Sequence, residues 1–140
     1  MNTDRLAPEL IDRLFTVRDA VKNLTKGVLK ELDLTGPLAD VIWHLDPSTG
    51  PLTMRQIADR LHCDPSTVTF LIDRLEDRDL VVRRAHPSDR RAKMIALTSN
   101  GSAHRERLVQ VVVEQSPLGT LSMDEMEHLH TLLGKVAHVA

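Results

Sequence analysis

The stretch that decides the fold is TMRQIADRLHCDPSTVTFLIDRLEDRDLVVRRAHPSDRRAKMIALT, which runs from Thr53 to Thr98. It reads as a short helix, a tight turn, a second helix and then a hairpin whose tip is rich in arginine. This order predicts a helix-turn-helix followed by a wing. Because such a unit places its second helix in the major groove, the first hypothesis is a reader of double-stranded DNA.

Start signals define the two helices of this stretch. Thr53 is followed three residues later by Gln56, which is the pattern of a capping box. After a turn at His62-Cys63, Asp64 takes an N-cap position and Pro65 the first position of the next helix. The apolar spacing of that helix predicts inward positions at Val68, Leu71, Ile72 and Leu75. The same spacing leaves on or beside the outward face Ser66, Thr67, Thr69, Phe70, Asp73 and Arg74.

The outward face of this second helix offers two kinds of DNA contact. Near the N-terminus, backbone N–H groups and the hydroxyls of Ser66 and Thr67 are suited to phosphate. Phe70 allows two interpretations from sequence alone. It is either a half-buried packing residue or a contact to thymine methyl groups in the major groove.

The hairpin is predicted from Leu80–Arg84 and Lys93–Leu97 as strands, with Ala85–Arg91 as the connecting turn. Between Arg83 and Lys93 the chain carries five basic residues and one acidic residue, although its net charge is −2. Clustered cations are expected where a protein contacts phosphate, and a solvated charged loop is the alternative. An arginine at the tip suits a narrow minor groove. Asp89 is expected to pair with a neighbouring arginine and stiffen the tip.

Helices with apolar stripes precede and follow this unit. The first is predicted from Pro8, in its first turn, to Leu32, with frayed residues before Ala7. Its heptad-like seam consists of Leu10, Leu14, Val17, Val21, Leu24 and Val28. Thr98 is predicted to cap a helix from Ser99 to Gln115, with Ala103, Leu108, Val111 and Val112 inward. Pro117 and Gly119 then interrupt the helical pattern. Ser122 and Glu125 form a second capping box, which starts the last helix. The apolar stripe of that helix comprises Met126, Leu129, Leu132, Leu133 and Val136. These stripes predict either a two-fold interface or packing within the chain.

The amino-acid composition argues against several classes of function. A chain of 140 residues with 41% hydrophobic and 27% charged residues is typical of one globular domain. Aromatics make up 2%, which argues against a stacking platform for single-stranded nucleic acid. The sequence contains no apolar run that could span a bilayer and no signal-peptide pattern. A single cysteine, Cys63, fits a reducing cytoplasm, where we expect the protein to act.

At this point the sequence resembles the MarR family of bacterial transcription regulators. The resemblance rests on Asp64–Thr69, on Leu71–Glu76, on Leu80-Val81 followed by Arg83-Arg84, and most specifically on Asp89-Arg90-Arg91-Ala92-Lys93 before Leu97-Thr98 and Gly101. The last helix, with its Leu-Ser-x-x-Glu start, is also similar. Two positions depart from the family pattern. Asp79 stands where glycine is usual, and Phe70 where a polar or basic residue is common.

The resemblance implies a mainly α fold, a winged helix-turn-helix with a two-stranded β wing. The whole chain, 1–140, would be one such domain, with residues 37–98 binding DNA and residues 8–34 and 99–140 forming dimerisation helices. It implies a homodimeric repressor that binds a pseudo-palindromic operator and is released by a small, often aromatic, molecule. The expected DNA-binding residues are Pro65, Ser66, Thr67, Thr69, Phe70, Arg74, Arg84, Arg90, Arg91 and Lys93. By the family pattern, Arg91 enters the minor groove and Asp89 supports it.

Other functions receive less support from the sequence. Motifs for metalloprotease, phosphate-loop or nucleophile chemistry are missing, so we expect no catalysis, no resident cofactor and no metal site. The alternative is a metal- or redox-responsive winged-helix regulator. It would use Cys63 or histidines that folding brings together, drawn from His44, His62, His86, His104 and His138. None of these residues has clear metal-ligand spacing.

Overall fold

A computed structural model describes residues 3–137. These residues form two compact units. One unit is Lys26–Gln110, and the other comprises the described residues before and after it. The helices are α1 (Thr3–Leu32), α2 (Gly36–His44), α3 (Met54–Leu61), α4 (Pro65–Asp77), α5 (Ser99–Gln115) and α6 (Met123–Ala137). The strands are β1 (Leu52–Thr53), β2 (Val81–Ala85) and β3 (Lys93–Leu97), and a 3₁₀ turn covers Pro117–Thr120. The predicted mainly α winged helix is therefore confirmed.

The core of the Lys26–Gln110 unit consists of aliphatic side chains from the three central helices and the sheet. Ile42, Ile57, Ile72, Leu75 and Ile95 are all fully enclosed. The four inward positions predicted for α4 are its buried residues. This packing fixes which face of α4 remains outside, because a helix that buries one stripe must present the opposite one.

The turn between α3 and α4 follows the predicted signals, with one exception. Thr53 and Gln56 form the reciprocal capping box, and His62 adopts a left-handed conformation with φ 52°. Pro65 begins α4, and Asp64 is its N-cap residue. The Asp64 side chain, however, makes no capping hydrogen bond. Its extended backbone and the fixed φ of Pro65 are sufficient to start the helix.

The sheet has three antiparallel strands in the order β1-β3-β2. Arg83 lies opposite Ile95, and Leu52 pairs with Ile95 from the other side. The sequence predicted the two strands of the wing but not β1. This short strand immediately precedes α3, and the turn-forming residues before it gave no period-two signal.

Two predicted features of α1 and α5 are wrong. Helix α1 extends to Thr3, so the residues before Ala7 are helical and Pro8 lies inside the helix. Proline has no N–H, so one intrahelical hydrogen bond is missing at Pro8, in the second turn of α1. In α5, Leu108 and Val111 are buried, but Ala103 is exposed and Val112 only half-buried. Within residues 3–137, no helix is both long and apolar enough to cross a membrane.

The predicted caps of α5 and α6 are confirmed. The Gly101 N–H donates to Thr98 Oγ1 at 3.0 Å, which starts α5 directly after the wing. At α6, the Ser122 N–H donates to Glu125 Oε1 at 2.9 Å and the Glu125 N–H donates to Ser122 Oγ at 3.2 Å.

Asp79, which stands where glycine is usual in the family pattern, has a φ of 57°, the left-handed conformation that glycine would adopt. Its carboxylate accepts a hydrogen bond from Asn100 Nδ2 at 3.0 Å.

Candidate nucleic-acid interface

The ten residues predicted to contact DNA all lie on the surface of the Lys26–Gln110 unit. Six belong to α4 and four to the wing. They form two groups, one along the exposed face of α4 and one along the hairpin of β2 and β3. A helix face and an adjacent basic hairpin are the two surfaces that a winged helix presents to the grooves of a duplex.

The N-terminus of α4 is open at its first turn. Pro65 has no N–H, and the first hydrogen bond of the helix runs from the Val68 N–H to the Asp64 carbonyl at 3.2 Å. The N–H groups of Ser66 and Thr67 therefore precede the hydrogen-bonded part of the helix, where a phosphate would be favoured. Thr69 differs from these two. Its hydroxyl donates to the Pro65 carbonyl at 3.1 Å, so it is available to DNA as an acceptor.

The exposed face of α4 carries an aromatic–cation pair. Phe70 is 55% exposed, which rules out the half-buried packing interpretation within this chain. The Arg74 guanidinium lies 4.9 Å from the centre of the Phe70 ring. The two residues are one helical turn apart, so the contact holds both on the same side of α4. The result is a surface that offers an apolar ring and a hydrogen-bond donor side by side.

The wing tip is held together by hydrogen bonds from its own side chains. Asp89 Oδ1 accepts from the Arg91 N–H at 3.0 Å. His86 Nδ1 accepts from the N–H groups of Ser88 at 3.1 Å and of Asp89 at 3.2 Å. The Ala92 N–H closes the turn on the Asp89 carbonyl at 3.2 Å. These contacts order a seven-residue tip that would otherwise be a flexible loop.

Asp89 pairs with a neighbouring arginine, as expected, but through the backbone N–H of Arg91 and not through a guanidinium. Its carboxylate binds the backbone N–H of Arg91, and the structure contains no Asp89–arginine ion pair among residues 3–137. An aspartate two residues before an N–H forms this turn readily, because the short side chain reaches it without strain. The guanidinium of Arg91 is thereby left exposed at the tip.

Sequence reasoning missed the role of His86, which had been considered only as a metal ligand. Its ring nitrogen occupies the place that an aspartate or serine oxygen often takes in a turn. No sequence signal identifies this contact, since histidine is not enriched as a turn cap. It is visible only once the backbone of 86–89 is in place.

The cationic segment divides into exposed and paired residues. Arg84, Arg90, Arg91 and Lys93 are exposed. Arg83 is instead bound to two carboxylates of α4: its Nη2 lies 2.5 Å from Asp73 Oδ1 and its Nη1 2.5 Å from Glu76 Oε1. The hydrogen bond with Asp73 raises the pKa of Arg83 above its ordinary value. Burial lowers that pKa by less, and the charge of Glu76 raises it further.

The geometry gives little support to a metal site. Among residues 3–137 there is no group of three or more His, Cys, Asp or Glu side chains that could hold a metal ion. His138, one of the histidines considered, lies outside the described residues. Burial, followed by the charge of Arg60, lowers the pKa of His44 below 6.5. Cys63 is a half-buried free thiol in the turn before α4.

Known proteins match this chain along most of its length. The model of the MarR family matches residues 47–93. The HTH-type transcriptional regulator MgrA of Staphylococcus aureus is 31% identical over 124 residues, which are 86% of this chain and 82% of that protein. The HTH-type transcriptional repressor MdtR of Bacillus subtilis is 31% identical over 93 residues, 65% of this chain and 60% of that relative.

A solved structure extends the likeness to the fold. The crystal structure of a mutant MarR from E. coli complexed with operator DNA is 26% identical, with a TM-score of 0.70. The match covers 97% of this chain and 99% of that one. Both the flanking helices and the winged helix-turn-helix therefore have counterparts in a protein of known structure.

Proposed function

Because this chain belongs to the MarR family of transcriptional regulators, we propose that it binds a specific double-stranded DNA operator as a homodimer and represses transcription from it. In this proposal α4 reads the major groove and the wing enters the flanking minor groove. A small, often aromatic, molecule relieves the repression. The observation that carries the proposal is the pair of exposed surfaces on one compact unit, the face of α4 and the ordered cationic tip.

The contacts assigned to each surface follow from its chemistry. In this proposal Ser66 and Thr67 bind phosphate and so position the helix, and Phe70 and Arg74 contact base edges. At the wing, the exposed Arg90 and Arg91 suit the negative potential of a narrow minor groove. Arg84 and Lys93 would add phosphate contacts along the hairpin.

The homodimer is supported by apolar surface that this chain leaves uncovered. On α1, five large apolar side chains between Leu10 and Val17 are 43–52% exposed. On α6, Leu132, Leu133 and Val136 are 48%, 41% and 62% exposed. Contiguous exposed apolar surface marks an interaction site more often than a solvated face. A second copy of the chain offers the matching surface by symmetry.

Repression and release are the finer parts of the proposal. The relative MdtR is named a repressor, and the DNA complex of E. coli MarR holds an operator. A ligand that binds better to a conformation unable to hold both half-sites would shift the dimer toward that conformation and so lower its affinity for the operator. Relief by a small aromatic molecule is the form that the family resemblance favours.

Salt-dependent binding to duplex DNA tests the proposal. We expect affinity for duplex to fall steeply with salt, because each neutralised phosphate contributes a slope of about −0.9. The double variant Arg90→Ala/Arg91→Ala should bind more weakly and with a shallower slope. The control Arg5→Ala removes an exposed charge at the start of α1, outside the proposed dimer surface, and should behave as the unmodified protein. Salt-independent binding, or equal losses in both variants, would contradict the proposal.

A further inference from the structure

Arg83 is the residue of the cationic segment whose position does not suit DNA contact. It lies in the middle of β2, opposite Ile95, and its side chain is 28% exposed. Its two partners are more exposed than it is, Asp73 at 57% and Glu76 at 42%. The guanidinium is therefore enclosed on the α4 side of the wing, with its charge already neutralised by carboxylates.

The two ion pairs constrain the wing more than a single contact would. Asp73 and Glu76 are three residues apart, so they lie on the same side of α4 about one turn apart. A planar guanidinium that donates from Nη1 to one carboxylate and from Nη2 to the other is held against both translation and rotation. These contacts limit both the sliding of strand β2 along the axis of α4 and its tilt relative to that axis.

This constraint matters because α4 and the wing belong to different parts of the proposed interface. A helix in the major groove and a hairpin tip in the minor groove engage one duplex together only at one relative angle. The hairpin is anchored at its base, where the Thr98 N–H donates to the Leu80 carbonyl at 3.1 Å. Further along the hairpin β1 pairs with Met94 and Ile95 of β3, whereas β2 is the outer strand of this sheet, so its position against α4 depends on side-chain contacts. The contacts of Arg83 are located between that base and the tip.

We propose that Arg83 is a positioning residue that locks the wing onto α4 through Asp73 and Glu76, so that both elements engage operator DNA in register. This inference rests on the proposed DNA-binding function. Asp73 and Glu76 are acids on the surface proposed to face DNA, so they repel phosphate. Holding Arg83 gives them a role that offsets this repulsion. The positioning role also removes Arg83 from the set of cations that the charge pattern alone would assign to phosphate.

The competing role for Arg83, a direct phosphate contact, predicts effects of opposite sign. If Arg83 bound phosphate, removing its acidic partners would free its charge and strengthen binding to any duplex. If Arg83 acts as a lock, removing either side of the ion pairs weakens binding to the operator selectively. Loss of the lock leaves the exposed cations of the wing in place, so binding to random duplex is retained.

Four variants separate these roles. Arg83→Met removes the charge and keeps the apolar stem, Asp73→Asn/Glu76→Gln keeps the shapes and removes the partner charges, and the triple variant combines them. Arg83→Lys retains the charge but cannot fork between two carboxylates. Each would be titrated against an operator obtained by selection from random duplex DNA, and against random duplex, at several salt concentrations. Thermal unfolding checks that each variant is folded.

We expect Arg83→Met and Asp73→Asn/Glu76→Gln each to lower the operator-to-random affinity ratio by roughly tenfold, with little further loss in the triple variant, because the residues act through one network. Arg83→Lys should lower the operator-to-random affinity ratio about as much as Arg83→Met does. The proposal is overturned if Asp73→Asn/Glu76→Gln raises affinity for both duplexes, or if the ratio is unchanged in the folded variants. If Arg83→Met does not fold, Arg83→Lys and Asp73→Asn/Glu76→Gln carry the test. Failure of the unmodified protein to bind any duplex would instead refute the proposed function.

Discussion

Phe70 is the exposed aromatic residue at the centre of the proposed reading surface. Its ring faces away from the core of its own chain and is covered in part by the Arg74 guanidinium. An exposed cation–π contact contributes only about 0.5–1 kcal/mol, so the pair by itself does not account for an aromatic at this position. The apolar group that a major groove offers is the C5-methyl of thymine.

Replacing thymine by uracil in the operator tests this role of Phe70. Removing the methyl group that Phe70 contacts should cost about 0.8 kcal/mol, roughly a fourfold loss of affinity. The variant Phe70→Ala should bind more weakly and respond little to the same substitution. Titration of both proteins with both duplexes provides the comparison. If uracil weakens Phe70→Ala as much as the unmodified protein, the assigned contact is wrong.

Gly101 shows how a single residue constrains the junction between the wing and α5. A Cβ at this position would lie 1.9 Å from the Leu80 carbonyl oxygen, which is backbone and cannot move aside. That same carbonyl accepts the Thr98 N–H, so the contact is part of the base of the wing. Glycine is required here for close approach of two backbone segments.

The substitution Gly101→Ala should therefore destabilise the fold, by about 1–3 kcal/mol if the surroundings relax as overpacked sites usually do. Gly27→Ala, where a Cβ would meet nothing within 4 Å, is the matched control and should be neutral or slightly stabilising. Chemical denaturation of both variants at one protein concentration measures the difference. Equal stability of the two variants would show that the close approach is not required.

The wing is the element in which the structure adds most to the charge pattern. Its tip is ordered by His86 and Asp89, and this order leaves Arg91 exposed. Because Asp89 binds a backbone N–H and not a guanidinium, the arginine charge is not neutralised by it. An ordered tip loses less conformational entropy on entering a groove than a flexible loop does.

Replacing Arg91 by alanine should weaken operator binding by about 1–3 kcal/mol and leave the fold intact. The reason is that its side chain makes the proposed minor-groove contact but takes no part in the hydrogen bonds of the tip, where only its backbone N–H is used. Binding titrations with thermal unfolding in parallel measure both effects. Normal affinity in the folded variant would refute the assignment.

The elements could be predicted from sequence wherever a local signal specifies them. The capping boxes at Thr53 and Ser122, the proline at the start of α4 and its four buried positions depend on neighbours within one or two turns. The features that sequence reasoning missed depend on long-range or unusual contacts. They include strand β1, which forms by pairing with β3, and the acceptor role of His86.

The partners of charged residues were the least predictable part of the candidate site. Clustering alone assigns Arg83 to the same group as Arg84, because charge counting does not reveal which face of a strand a side chain occupies. In the structure one is bound to acids of α4 and the other is exposed. Alternation along β2 places the two arginines on opposite faces, but only the packing of α4 shows which face meets the carboxylates.

At the scale of the whole molecule, the terminal helices carry apolar surface that their own chain leaves exposed. Leu10, Phe15 and Val136 are each about half or more exposed. In the proposed homodimer, two copies joined through these helices present two reading surfaces to one operator. Half-sites about one helical turn of DNA apart are then expected.

Selection of bound sequences from random duplex DNA tests the central claim most directly. The proposed function predicts enrichment of a near-palindrome whose half-sites are about one helical turn apart, roughly 10 base pairs from centre to centre. The enriched duplex should bind one dimer, as measured by sedimentation of the complex. Recovery of asymmetric single sites, or no enrichment over the starting pool, would contradict a homodimer that reads DNA through α4 and its wing.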